Sequence, residues 1–168
     1  MVGIISKKEY TGLLFGEGGK DKNFLIKLVD LDKFKKFYAK RWEINISNGS
    51  GGSPEDVLMK CKNEILGKSY DLVICFIDLD VLKHDFPKIW KKEKNKLEEK
   101  YSDVKIIWHI DKLEDEMIKV LGEDKRRGKA RLNNEAKKNI KKFINSGIWK
   151  KILKVIKDCE KYLDGKNK

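Results

Sequence analysis

The stretch YDLVICFIDLD, residues 70–80, decides the fold. It is a nearly continuous apolar run rich in β-branched and aromatic residues, the pattern of a parallel strand covered on both faces. Upstream, residues 10–15 form a second run suited to a buried strand, and it ends in Gly16-Glu17-Gly18-Gly19. A helix is expected to follow: Asp21 lies in its first turn, where a carboxylate suits the helix dipole, and Phe24, Leu25, Leu28, Leu31, Phe34 and Phe37 recur at helical spacing. RWEINIS, residues 41–47, alternates Trp42, Ile44 and Ile46 with polar neighbours and reads as another strand, closing in the loop NGSGG. Ser53-Pro54-Glu55-Asp56 then supplies an N-cap, a first-turn proline and early acids for a helix through Val57, Leu58, Cys61, Ile65 and Leu66.

Downstream, the lysine-rich segment 84–101 predicts a helix, and VKIIWHI, residues 104–110, a fourth strand ending at Asp111. Strand and helix alternate four times. That order argues for an α/β layer, a mainly parallel four-stranded sheet between helices. After Leu113 the pattern is wholly helical, with Ile140, Phe143, Ile144, Ile148, Ile152, Ile156 and Leu163 forming an apolar stripe. The expected organisation is an α/β domain over residues 8–118 and a basic helical extension over 119–168 packed on it.

The chain has 168 residues, of which 40% are hydrophobic and 39% charged. No apolar run approaches the length of a membrane span and no signal-peptide pattern opens the sequence, so a cytoplasmic location and no membrane partner are expected. Cys61, Cys75 and Cys159 stand far apart and the histidines are His84 and His109, which argues against a zinc site and for reduced packing thiols. The net charge is +12, and residues 119–168 carry 17 basic against 6 acidic side chains, so the surplus is almost wholly C-terminal. Such asymmetry suits a polyanion such as DNA or RNA, because clustered cations gain affinity by releasing counterions. A solvated lysine-rich helix gives the same composition.

Gly19-Lys20 resembles the end of a phosphate loop, but the Walker pattern needs a glycine five residues before Gly19, where Leu14 stands. Another chemistry fits better. In open α/β sheets ligands gather beyond the carboxyl ends of the strands, so Glu17 after the first strand and Asp78 and Asp80 at the end of the third are expected on one rim. Residues two apart on a strand share a face, which would place Asp78 and Asp80 together. Ionised carboxylates so close repel unless a cation neutralises them, and hard oxygens without a histidine or thiolate cluster imply Mg2+ or Mn2+. Helix capping by the Asp-x-Asp and a surface position for Glu17 are the competing structural explanations.

LLFGEGGKD followed by VICFIDLD resembles the TOPRIM domain, which carries a glutamate after its first strand and an Asp-x-Asp after its third. The resemblance covers about residues 10–111, with NGSGG in the place of the intervening glycine-bearing loop, and is nearest to small proteins related to the OLD and RloB-like nucleases. It implies a Rossmann-like TOPRIM fold and a Mg2+-dependent hydrolysis of phosphodiester bonds in DNA or RNA. By this resemblance Glu17 is a general acid/base or metal ligand, Asp78 and Asp80 the magnesium-binding pair, Asp21 a further acid, and Glu114 in KLEDEM a later ligand. Topoisomerase forms continue the Asp-x-Asp with Arg-Glu-Gly, whereas this chain has Val81-Leu82-Lys83.

Basic residues must offset the repulsion of an incoming polyanion. Arg126, Arg127, Lys129 and Arg131, with Lys125, are the candidates for phosphate contacts, and Lys137, Lys138, Lys141 and Lys142 extend the track. Lys129 is alternatively a group that stabilises transition-state charge. The rival reading is a non-catalytic nucleic-acid- or protein-binding module, a subunit of a larger complex or a homo-oligomer. Nucleotidyl transfer uses similar acids and is a third.

Overall fold

The computed structural model describes residues 8–31, 41–109, 113–122, 129–144 and 146–166, with the backbone alone for Lys20, Leu113, Glu114, Lys129, Ala130 and Asn133. Its strands are β1 (Tyr10–Gly16), β2 (Trp42–Asn48), β3 (Leu72–Asp78) and β4 (Lys105–His109). Its helices are α1 (Gly19–Val29), α2 (Pro54–Ile65), α3 (Asp80–Asp85), α4 (Trp90–Lys100), α5 (Leu113–Leu121), α6 (Lys129–Lys138) and α7 (Gly147–Lys166), with a 3-10 turn at Ile140–Phe143.

The strands run parallel in one sheet, ordered β2-β1-β3-β4. Alternation along them sends successive side chains to opposite faces, and each face meets its own helices. On one face Leu14, Ile74, Phe76 and Ile107 pack with Phe24 and Leu28 of α1 and with Met117, Ala136, Phe143, Ile148 and Ile152 from the C-terminal elements. On the other, Leu13, Phe15, Val73, Cys75 and Ile77 meet Val57, Leu58 and Cys61 of α2 and Leu82 and Leu97 of α3 and α4. The continuous apolar run of β3 follows from this covering on both sides. The expected α/β class is what the chain adopts. The division at 118/119 falls inside α5, and residues on both sides of it share the first core.

α2 begins as its sequence directs: Ser53 Oγ accepts from Asp56 N at 3.2 Å and Asp56 Oδ2 accepts from Ser53 N at 3.0 Å. The lysine-rich segment departs from expectation. Instead of one helix over 84–101 it makes α3 and α4, separated by residues 86–89, where Phe86, just before Pro87, is non-helical at φ −131° and ψ 62°. Proline disfavours the helical region for the residue before it, and that local rule overrides the helical composition. The fourth strand ends at His109, and residues 110–112, like 32–40 with Phe34 and Phe37, lie outside the described residues.

The apolar stripe of α7 lies against the sheet, and its last turns are fastened by polar contacts. Tyr10 Oη donates to Asp164 Oδ1 at 2.5 Å, Arg41 Nη2 reaches the same oxygen at 2.6 Å, and Trp42 Nε1 donates to Glu160 Oε1 at 2.6 Å. These contacts sit at the start of β1 and β2, the end of the sheet opposite the carboxyl rim. Among the described residues no helix is long and apolar enough to cross a membrane.

Candidate metal centre

The chain leaves β1 for β2 on one side and later returns to place β3 on the other, so the strand order reverses between β1 and β3. At such a reversal the connections diverge and leave a crevice beyond the strand ends, the usual ligand position in open α/β sheets. Glu17 and Asp78 stand at that crevice.

Glu17 follows the last residue of β1, and its Oε1 accepts the backbone N–H of Asp78 at 2.9 Å. This bond joins residues 61 apart and fixes the carboxylate at the end of β3. Both residues are half-buried. The turn beneath them is tight: a Cβ on Gly16 would lie 2.8 Å from Asp21 Cβ, so the first turn of α1 folds directly over the end of β1. Asp21 Oδ2 accepts from Gly18 N at 3.1 Å, closing the N-terminal turn. Strand alternation puts Asp78 on the face of β3 that carries Phe76, the face covered by α1.

The loop after β2 is bound to the same turn. Gly49 N donates to Gly16 O at 3.1 Å and Gly51 N to Glu17 O at 2.9 Å. The glycines at Gly51 and Gly52 have φ of +80° and +112°, a region that L-residues with side chains rarely adopt. The Gly49 and Gly51 amides are thus taken up by carbonyls at the end of β1 instead of facing a ligand.

Asp80 is placed differently from the strand-spacing argument. β3 stops at Asp78, Leu79 turns into the right-handed helical region at φ −81° and ψ −14°, and Asp80 is the first residue of α3. The side-by-side geometry of two residues on one strand therefore does not apply to the pair. The turn is held from the neighbouring strand, since Leu79 N donates to His109 O at 3.2 Å.

His109 is a further polar group at this rim. It is the register partner of Asp78, only 4% exposed, and its Nδ1 lies 2.7 Å from Glu116 Oε2. Phe76 stacks on its ring at 6.1 Å, and Lys151 Nζ donates to Trp108 O at 3.1 Å and lies 3.7 Å from Glu116 Oε1. Asp21 and His109 line one narrow gap with Phe76 and Ile148. The hydrogen bond of His109 thus goes to α5, outside its own strand. Glu116 belongs to the acidic KLEDEM element from which Glu114 was selected; the Glu114 side chain lies outside the described ones. A short acidic run carries no helix phase, so only the fold distinguishes its members.

Cys75 lies just beneath Glu17. A hydrogen bond with Cys61, burial, and then the negative charges of Cys61 and Glu17 push its thiol well above the ordinary range. Arg126 and Arg127 lie outside the described residues, as does the Lys129 side chain, while Arg131 is exposed on α6. His84 is exposed beside Asp85.

Among the described residues no three of Asp, Glu, His and Cys form a group that could hold a metal ion by themselves. The fold brings the Glu17 carboxylate to the backbone of Asp78, with Asp21 and Asp80 in the adjoining first helical turns. Carboxylate oxygens are the donors Mg2+ takes, and it commonly uses one or two of them with water and substrate phosphate in the remaining positions. The donor chemistry fits such an ion. No family model, curated protein or solved structure matches the chain.

Proposed function

We propose that the chain is a TOPRIM-type nuclease that hydrolyses phosphodiester bonds in DNA or RNA with Mg2+ or Mn2+. The observation that carries the reading is the Glu17–Asp78 hydrogen bond at the reversal of strand order. It joins the two halves of the motif on which the TOPRIM resemblance rests. The C-terminal surplus of basic residues supports a polyanionic substrate.

Glu17 and Asp78 would hold the ion, with Asp21 and Asp80 beside them. When bound, such an ion neutralises charge on the phosphodiester and stabilises the leaving oxygen. The residues supply position. The Asp78 amide orients Glu17, the capping of α1 by Asp21 fixes the turn, and the Leu79–His109 bond fixes the start of α3. A carboxylate held without a change of rotamer needs no reorganisation as charge develops on the phosphate.

The test is incubation of purified protein with single- and double-stranded DNA and RNA in magnesium or manganese, comparing wild type with Glu17→Gln and Asp78→Asn. Each substitution is expected to lower cleavage at least about 100-fold, the scale of losing several kcal/mol of charge stabilisation. Cleavage indifferent to both overturns the site. Salt-sensitive binding without turnover in any divalent metal establishes the non-catalytic module instead.

A further inference from the structure

Beside the glycine loop lies an open cleft of about 570 Å³, lined by Phe15, Asn48, Ser50, Lys60, Asn63 and Glu64. That volume is within the range of small-ligand sites, about 300–1,000 Å³. Its cation is Lys60 on α2. Lys60 Nζ donates to Ser50 Oγ at 2.8 Å and to Gly51 O at 2.9 Å, both neutral oxygens. Among the described residues no carboxylate lies within ion-pair distance of it, and Glu64 is engaged by Lys68 at 3.8 Å. Lys60 also interacts at longer range with the Asp56 carboxylate one turn earlier, while its direct partners are neutral oxygens that a phosphate oxygen can replace.

The position of this charge relates it to Glu17. Gly51 accepts from Lys60 through its carbonyl and donates to the Glu17 carbonyl through its amide, so the ammonium lies within roughly 10 Å of the Glu17 backbone. A Cβ on Gly49 would lie 3.3 Å from Lys60 Cδ and 3.5 Å from Glu17 O, so the loop is pinched between the two. Asn63 is exposed on the wall, where a side-chain amide can pair with a base edge or sugar hydroxyl.

We infer that this cleft is a nucleotide subsite for single-stranded nucleic acid, in which Lys60 pairs with a phosphate neighbouring the one at Glu17 and Asp78. The inference rests on the nuclease reading for its substrate class and supplies a cation that the C-terminal basic cluster does not. Lys60 reaches the strand from the β2–α2 side of the crevice. Its bonds to Ser50 and Gly51 keep the loop closed in the absence of a ligand, and a phosphate oxygen replaces them as the stronger, charged acceptor.

The experiment compares wild type, Lys60→Gln and Lys60→Arg for binding a fluorescein-labelled single strand of about 12 nucleotides, as DNA and as RNA, in calcium over a salt series. Glutamine removes the charge and retains an N–H donor on a side chain one bond shorter, and an unchanged thermal midpoint shows that the fold tolerates it. Lys60→Gln is expected to bind about 3–10-fold more weakly at low salt, with the slope of log affinity against log salt shallower by about 0.7, the value for one lost phosphate contact. Lys60→Arg should restore both. An unchanged slope in Lys60→Gln, or failure of wild type to bind either strand, overturns the subsite. Cleavage that depends on Asp78 while the Lys60→Gln slope is unchanged removes the subsite and leaves the nuclease standing; a changed slope without any cleavage does the reverse.

Discussion

At the scale of single residues, the account depends on a turn with no spare room. Gly16 is the position where this is sharpest, because any Cβ there meets Asp21 Cβ at 2.8 Å. Gly16→Ala should therefore displace the start of α1 and with it Glu17. The expected cost is about 1–3 kcal/mol in denaturant unfolding, as for other overpacked sites, with Mn2+ affinity lowered by calorimetry. A variant as stable as wild type with full metal affinity would show that the turn has slack. Glu17 and Asp78 were legible in the sequence because acids at the ends of alternating strands must reach one rim once the sheet is parallel. The placement of Asp80 in a helix was not, since an apolar run does not say where its strand stops, and here it stops at Asp78. The His109–Glu116 contact was hidden for a related reason: it depends on how α5 crosses the end of β4.

At the scale of elements, local chemistry was read well where it is self-contained. The N-cap, first-turn proline and early acids of α2 lie wholly within Ser53-Pro54-Glu55-Asp56 and take those places, with Asp56 also closing a capping box. Ser53→Ala should lower stability by about 1 kcal/mol at neutral pH. The amide and hydroxyl of Ser53 hold the Asp56 carboxyl below its ordinary value. A carboxyl lowered in the folded state stabilises above its unfolded pKa, near about 4, and that stabilisation is lost as pH falls through the lower folded value. The gap between wild type and Asp56→Asn in urea unfolding should accordingly close as pH falls through this acid range; a gap that is constant with pH would contradict the linkage. The lysine-rich helix was misjudged in extent because its composition suits a helix throughout while Pro87 acts on Phe86 alone.

At the scale of the whole molecule, the four strands and their class follow from alternation, but the order β2-β1-β3-β4 does not, since alternation is compatible with other orders. The C-terminal helices complete one face of the sheet, and their apolar stripe announced as much. Their fastening did not show, because Arg41 and Asp164 stand 123 residues apart. That fastening makes a graded prediction. Glu160→Ala leaves the Trp42 indole N–H, on a ring 1% exposed, without its acceptor, and should cost about 1–3 kcal/mol. Arg41→Ala removes partly exposed ion pairs with Glu9, Glu160 and Asp164 and should cost about 1 kcal/mol or less, more at low salt. Equal losses by thermal unfolding would mean that α7 is held otherwise. The central claim is that the order of strands turns two distant acids into one binding place for a divalent ion. A crystal of the protein equilibrated with Mn2+ tests it most directly, by anomalous scattering. The account predicts a peak within coordination distance of carboxylate oxygens of both Glu17 and Asp78; a peak elsewhere, or none at saturating Mn2+, contradicts it.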